Sequence, residues 1–271
     1  MTLPTTPTAR PPEDVVYPES DGQPMGETGF HVKATLWLLS ALIDLLTGRD
    51  DVYMTADMFL YYERGNPRAC KAPDVMVVFG VDGHQRRTFK TWEENAVPTV
   101  IFEVSSDETY REDLHGKRAL YERLGVAEYY LFDPLGDCLD PRLQGFRLVE
   151  GRYVPLTLEA DGGLTSEKLG ARMVPEGYML RLIDARTGEL VLWPEEKSRR
   201  FREDAERIQA EIARTQRERQ QKEHERQEKE RERQEKERER QEKERERRRA
   251  DDLEAEVARL RALLGRQDQA S

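Results

Sequence analysis

The stretch TVIFEVSS, residues 99–106, decides the reading of this chain. Five of its residues are β-branched or aromatic, so it predicts a strand buried on both faces. Glu103 stands in the middle of it. A carboxylate inside an apolar strand costs several kcal/mol unless a partner compensates it. The rest of the sequence can be searched for that partner.

Charge divides the chain first. Residues 1–194 carry 20 Lys+Arg against 31 Asp+Glu, a net of −11, and residues 195–271 carry 24 against 23, a net of +1, which together give the −10 of the whole chain. Phosphate binding is driven largely by Lys and Arg, so the acidic body argues against indiscriminate DNA binding and leaves room only for a small basic groove. The two cysteines, Cys70 and Cys138, show neither metal spacing nor a disulfide framework. No run approaches 18 apolar residues and the Pro/Thr-rich start has no signal-peptide core, so a cytoplasmic protein without membrane contact is expected.

Around the central strand the pattern is mixed α/β. Residues 1–24 read as a flexible arm. Residues 28–47 predict a helix, with Phe30, Leu36, Leu39, Ile43 and Leu46 at three- and four-residue steps and Gly48 as a stop. VYMTADMFLYYE and APDVMVVFG read as strands ahead of TVIFEVSS. ETYREDLHGKRALYERLG follows as a helix ending at Gly125, then AEYYLFDP as a strand, then a β-rich extension with a turn at Thr187–Gly188. The predicted divisions are an arm to residue 24, a domain over 25–194 and a charged helical tail over 195–271.

In the tail RQEKERE occurs three times in succession, from Arg226 to Glu246. Phe201, Ala205, Ile208 and Ile212 set a coiled-coil-like register, but continuing it places arginines and lysines on the seam. A solvated, mostly single helix is expected. Leu253, Val257, Leu260 and Leu264 form a short apolar stripe at its end, through which a homo-oligomer is one reading and a spacer without partner the other.

The candidate partner for Glu103 comes from the preceding strand, which opens with Pro73-Asp74. Two carboxylates on adjacent strands repel unless a cation shares them, and hard oxygen ligands favour Mg²⁺ or Mn²⁺. In the pattern Pro-Asp … Asp/Glu-x-Lys a lysine lies two residues beyond the acid; here Ser105 occupies that position. The next helix supplies a substitute: Asp113, Lys117 and Tyr121, at i, i+4 and i+8, share one helix face. An ordinary surface pair between Asp113 and Lys117 accounts for the helix alone equally well.

Taken together, Pro73, Asp74 and Val75, then Glu103, Val104 and Ser106, then Asp113, Lys117 and Tyr121, and then Gly125, Val126, Glu128, Tyr129, Asp133 and Pro134 resemble the Uma2 family, over residues 20 to 194. Tyr130 stands where that family usually has Trp. The family comprises restriction-endonuclease-like proteins of the PD-(D/E)xK superfamily. The resemblance implies a restriction-endonuclease-like mixed sheet flanked by helices, and Mg²⁺-dependent hydrolysis of phosphodiesters in nucleic acid, DNA before RNA. It implies Asp74 and Glu103 as catalytic metal ligands and Lys117 as the displaced catalytic lysine, with Asp113 and Tyr121 orienting it. Glu27 resembles an additional acid that such nucleases place in the first helix; a Glu there also suits the helix dipole. His31, one turn later, reads as a helix-face residue, with a site residue as the alternative. Arg86, Arg87 and Lys90 form the most basic loop of the body and the expected place of phosphate contact. The alternative is an inactive relative that binds nucleic acid or protein, its tail serving as spacer or oligomerisation helix.

Overall fold

The computed structural model describes residues 15–20 and 27–267, and side chains as far as 257. The proposed arm therefore lies largely outside the described residues. Its described part, 15–20, packs on the body: the Tyr17 ring meets Tyr61 and Trp92, and its hydroxyl accepts from the Gly65 amide at 2.6 Å. The chain divides into two compact units, 1–198 and 199–271.

In chain order the elements are α1 (Gly29–Leu45), β1 (Val52–Ala56), β2 (Leu60–Tyr61), β3 (Cys70–Lys71), β4 (Val75–Phe79), β5 (Phe89–Lys90), α2 (Thr91–Glu94) and β6 (Val100–Val104). Then come α3 (Tyr110–Glu112), a π-helical turn (Asp113–Lys117), α4 (Arg118–Leu124), β7 (Glu128–Phe132), β8 (Leu143–Val149) and β9 (Arg152–Pro155). β10 (Leu164–Ser166), β11 (Ala171–Glu176), β12 (Met179–Asp184) and α5 (Pro194–Gln267) complete the chain.

The main sheet runs β1-β4-β6-β7-β8-β9. Only β6 and β7 are parallel; every other neighbouring pair is antiparallel. A parallel pair needs a crossover, and the helix from Tyr110 to Leu124 supplies it. Alternation along the strands then fills two cores. Val75, Val77, Val100, Phe102, Val104, Tyr130 and Phe132 face α1 and the small sheet β10-β11-β12. Met76, Val78, Ile101, Tyr129 and Leu131 face α4 and the edge sheet β3-β2-β5. Both faces are covered, which is why these strands read as unbroken apolar runs.

Two sequence expectations change. The buried face of α1 is His31, Ala34, Thr35, Leu38, Ala41 and Leu42, whereas Phe30, Leu36 and Ile43 are exposed. Small residues let the helix lie close to the sheet, so the packed face is the one with alanines rather than the one with the largest side chains. The second change is in VYMTADMFLYYE, which is two strands: the chain breaks at Asp57, whose φ is +50°.

Glu128, at the start of β7, is fully buried and saturated with donors: Tyr130 at 3.0 Å, the Glu167 amide at 3.1 Å, Arg147 at 3.3 Å and the Ser166 hydroxyl. It ties the main sheet to β10. Asp133, just past β7, accepts four backbone N–H groups, from Leu135, Gly136, Cys138 and Leu139, at 2.7–3.0 Å. These bonds hold its carboxyl below the usual range although burial opposes them.

From residue 199 onward the described chain is a single helix with exposed side chains, Phe201, Ile208, Ile212, Leu253 and Val257 among them. In each RQEKERE repeat the glutamine donates to the glutamate four residues before it, at 3.3–3.4 Å. Leu260 and Leu264 lie outside the described side chains. No helix among the described residues is long and apolar enough to cross a membrane.

The Asp133 cap yields a stability prediction. Asp133→Ala leaves four backbone N–H groups without their acceptor and should cost about 3 kcal/mol. Urea unfolding of the full chain, followed by tryptophan fluorescence, should show the body's midpoint fall accordingly; an unchanged midpoint would refute the cap.

Candidate active site

Glu103 points from β6 toward α4 and is completely buried. Its Oε2 is 2.8 Å from the Lys117 ammonium, and its Oε1 accepts from the Tyr121 hydroxyl at 2.9 Å. Lys117 also lies 2.9 Å from Asp113 Oδ1. The partner of the buried acid is thus a lysine one helix away. The π-helical turn containing both Asp113 and Lys117 precedes α4, so both groups and Tyr121 reach the same carboxylate neighbourhood from one stretch of helix. Asp113 is in turn gripped by the Ser105 hydroxyl at 3.2 Å. The residue in the usual lysine position therefore still touches the ion-pair network.

Asp74 lies where β4 begins, beside β6. Its Oδ2 accepts from the Val104 amide at 2.6 Å, and its own amide is 3.5 Å from Glu103 Oε2. The two acidic residues flagged by the sequence are therefore neighbours. Glu27 is brought close only indirectly: its Oε2 is 3.4 Å from His31 Nδ1, and His31 Nε2 is 3.4 Å from Asp74 Oδ1.

Two residues here differ from the leading sequence reading. His31 is no helix-face histidine but 6% exposed, turned inward from the first turn of α1. Asp57 carries no signal in the sequence beyond being an acid inside a strand-like run. Its carboxyl is pushed up to about 6 by crowding of the surrounding protein and by the like charge of Asp74, although the residue still reaches solvent.

The electrostatics follow from crowding. Burial drives the Glu103 carboxyl well above the usual range; Lys117 opposes that, and Asp74 and Asp113 add to it. Burial works against the Lys117 charge, but Glu103 and Asp113 outweigh it and raise its pKa, keeping it an ammonium. Burial likewise opposes a charged His31, and Asp74 and Glu27 outweigh it. Asp57, Asp74, Glu103 and Asp113 thus gather around one lysine, an excess of negative charge that a cation would relieve.

As the side chains stand, no group of three or more His, Cys, Asp or Glu among the described residues is placed to hold a metal. Mg²⁺ needs no such cage, since one or two carboxylates and several waters hold it. Beside Asp74 and Glu103 opens a cleft of about 290 Å³, lined by Glu27, His31, Ser105, Asp107, Asp133 and Leu135 among others.

The basic loop expected to meet phosphate is instead spent on the body. Arg86 is bound by Glu94 at 2.8 Å and stacks on Tyr53, Arg87 pairs with Glu19 at 2.6 Å, and Lys90 with Glu93 at 3.2 Å.

Comparison with known proteins adds the following. The family model Uma2, described as "Putative restriction endonuclease", matches residues 8–173, more than half of the chain. Among solved structures the chain is similar to a "putative nuclease belonging to DUF820" from Anabaena variabilis ATCC 29413. The two share 14% identity over 54% of this chain and 76% of the other, with a TM-score of 0.41. No curated protein matches the sequence.

Asp57 gives a pH test. Its raised pKa means that the folded state prefers the proton, so its contribution to stability is present at low pH and lost as pH rises through about 6. That loss accrues between the ordinary value of 3.8 and about 6, so removing the charge should help in full above about 6 and not below 3.8. In chelator-containing buffer, Asp57→Asn should stabilise the body at pH 8 by about 1 kcal/mol after allowance for solvent screening, seen as a higher melting temperature, and leave it unchanged at about pH 3. Equal effects at both pH values would refute the assignment.

Proposed function

The chain belongs to the Uma2 family, and on that footing we propose that it is a nuclease that hydrolyses phosphodiester bonds in nucleic acid, DNA before RNA, with the help of a divalent cation. One observation carries the reading: a fully buried Glu103, held by Lys117 and Tyr121, beside Asp74. Asp74 and Glu103 would hold Mg²⁺ or Mn²⁺. Bound there, such an ion lowers the pKa of a water and offsets phosphate charge.

The chain's own residues do the rest. Tyr121 donates to one Glu103 oxygen and fixes the carboxylate plane. Lys117, charged and 13% exposed on its side chain, presents its ammonium at the edge of the acid pair, where it would stabilise charge on phosphoryl oxygens or orient a water. Asp113 holds the ammonium from the far side, and Ser105 holds Asp113. The buried carboxylates keep water from competing for these contacts.

A second reading has its own support. Lys117 is already neutralised by two buried acids, and the cleft rim is acidic, with Glu27, Asp107, Glu108 and Asp137. Both features suit a non-catalytic nuclease-fold module that binds nucleic acid or protein.

Cleavage separates the two. The full chain should cut members of a mixed DNA and RNA panel only with Mg²⁺ or Mn²⁺. Glu103→Ala and Lys117→Ala should each lose about 100-fold or more in rate, the scale of a lost electrostatic catalyst. Cutting that survives Lys117→Ala would remove its proposed role. An absence of cutting on every substrate, with no Mn²⁺ bound, would leave the binding module.

A further inference from the structure

The two oxygens of Asp74 meet different donors. Oδ2 is fixed by the Val104 amide at 2.6 Å, so it is tied to the strand that carries Glu103. Oδ1 faces His31 Nε2 at 3.4 Å. His31 is set in the first turn of α1, where the Thr28 hydroxyl caps its backbone amide at 3.3 Å. Its other nitrogen, Nδ1, is buried, makes no hydrogen bond and lies 3.4 Å from Glu27 Oε2.

A buried imidazole normally has both nitrogens partnered. This one is clasped between two carboxylates, one of them in the acid pair, and it also lines the adjacent cleft.

We propose that His31 is a positioning residue for Asp74: through Nε2 it fixes the carboxylate in the orientation that a divalent cation requires, and Glu27 steadies the ring from Nδ1. The inference rests on the nuclease reading and deepens it. It places Glu27, which lies just ahead of the Thr28 cap rather than in the first helix as the sequence suggested, one step behind the ligands, acting through an imidazole. The physical reason is general. A ligating carboxylate flanked by other acids swings away from them unless an outer partner holds it, and losing such a partner typically weakens metal affinity 10- to 100-fold. Asp74 has Asp57, Glu103 and Glu27 as neighbouring acids, and His31 stands between it and Glu27.

The test is Mn²⁺ binding by the full chain, followed by electron paramagnetic resonance, with metal-free melting curves to verify folding. His31→Phe keeps a ring of similar size and removes the donor; it should weaken Mn²⁺ affinity about 10- to 100-fold. His31→Gln places an amide N–H near the position of Nε2 and should restore affinity to within about threefold of wild type, a rescue that a merely space-filling role would not produce. His31→Ala replaces the Phe variant if that one does not fold. Affinity in His31→Phe within about twofold of wild type would overturn the inference and leave the nuclease reading standing. A Gln variant as weak as the Phe variant would overturn it too. Failure of the wild type to bind Mn²⁺ would remove both the nuclease reading and this one.

Discussion

The ion pair between Glu103 and Lys117 is the constraint around which this fold is arranged. A carboxylate in the middle of a two-sided apolar strand is tolerated only with strong compensation. Lys117 supplies charge, Tyr121 a hydroxyl, and Asp113 a counter-charge that keeps the lysine in place. All three come from the crossover between β6 and β7. The one parallel pairing in the main sheet is thus also the device that delivers the compensating groups. A hairpin between these strands would have left Glu103 without them.

Glu128 makes the contrast instructive. It starts β7, is as fully buried as Glu103, and lies one strand away. Its neighbours are hydroxyls, an amide and an arginine, and among them they satisfy both oxygens. Such a group is a structural tie. Glu103 differs because other acids crowd it. Burial alone does not mark a site; an excess of like charge around one buried group does.

The central strands were legible because two-sided burial writes itself as apolar runs, and the helix of Lys117 and Tyr121 because its spacing is strict. The face of α1 was misjudged because that helix carries apolar residues all round, and close approach selected Ala34 and Ala41 over Phe30 and Leu36. The two-residue strands β2, β3 and β5 are too short for periodicity to register. Asp57 was unreadable for another reason, and His31 legible only as the lesser alternative, from its place one turn after Glu27. Each enters the site through a contact between segments distant in sequence. The long helix was the easiest element. Between Thr215 and Val257 there is no Gly, Pro or β-branched residue, and Glu, Lys, Arg and Gln are strong helix formers. Its helicity needs no partner surface.

The acidity of the body bears on the proposed chemistry. A polyanion approaching a net charge of −11 over residues 1–194 gains little at long range. Several arginines of the body are also already paired: Arg86, Arg87, Arg147, Arg172 and Arg181 each meet an acid of the same chain. Affinity for a phosphodiester would then have to arise at the acid pair, from Lys117 and a bound cation, over a small footprint. The counterion-release contribution that supports most DNA binding scales with the number of phosphates neutralised, so a small footprint makes it weak. A site built in this way would select substrates through its metal-dependent contact rather than through the breadth of its grip.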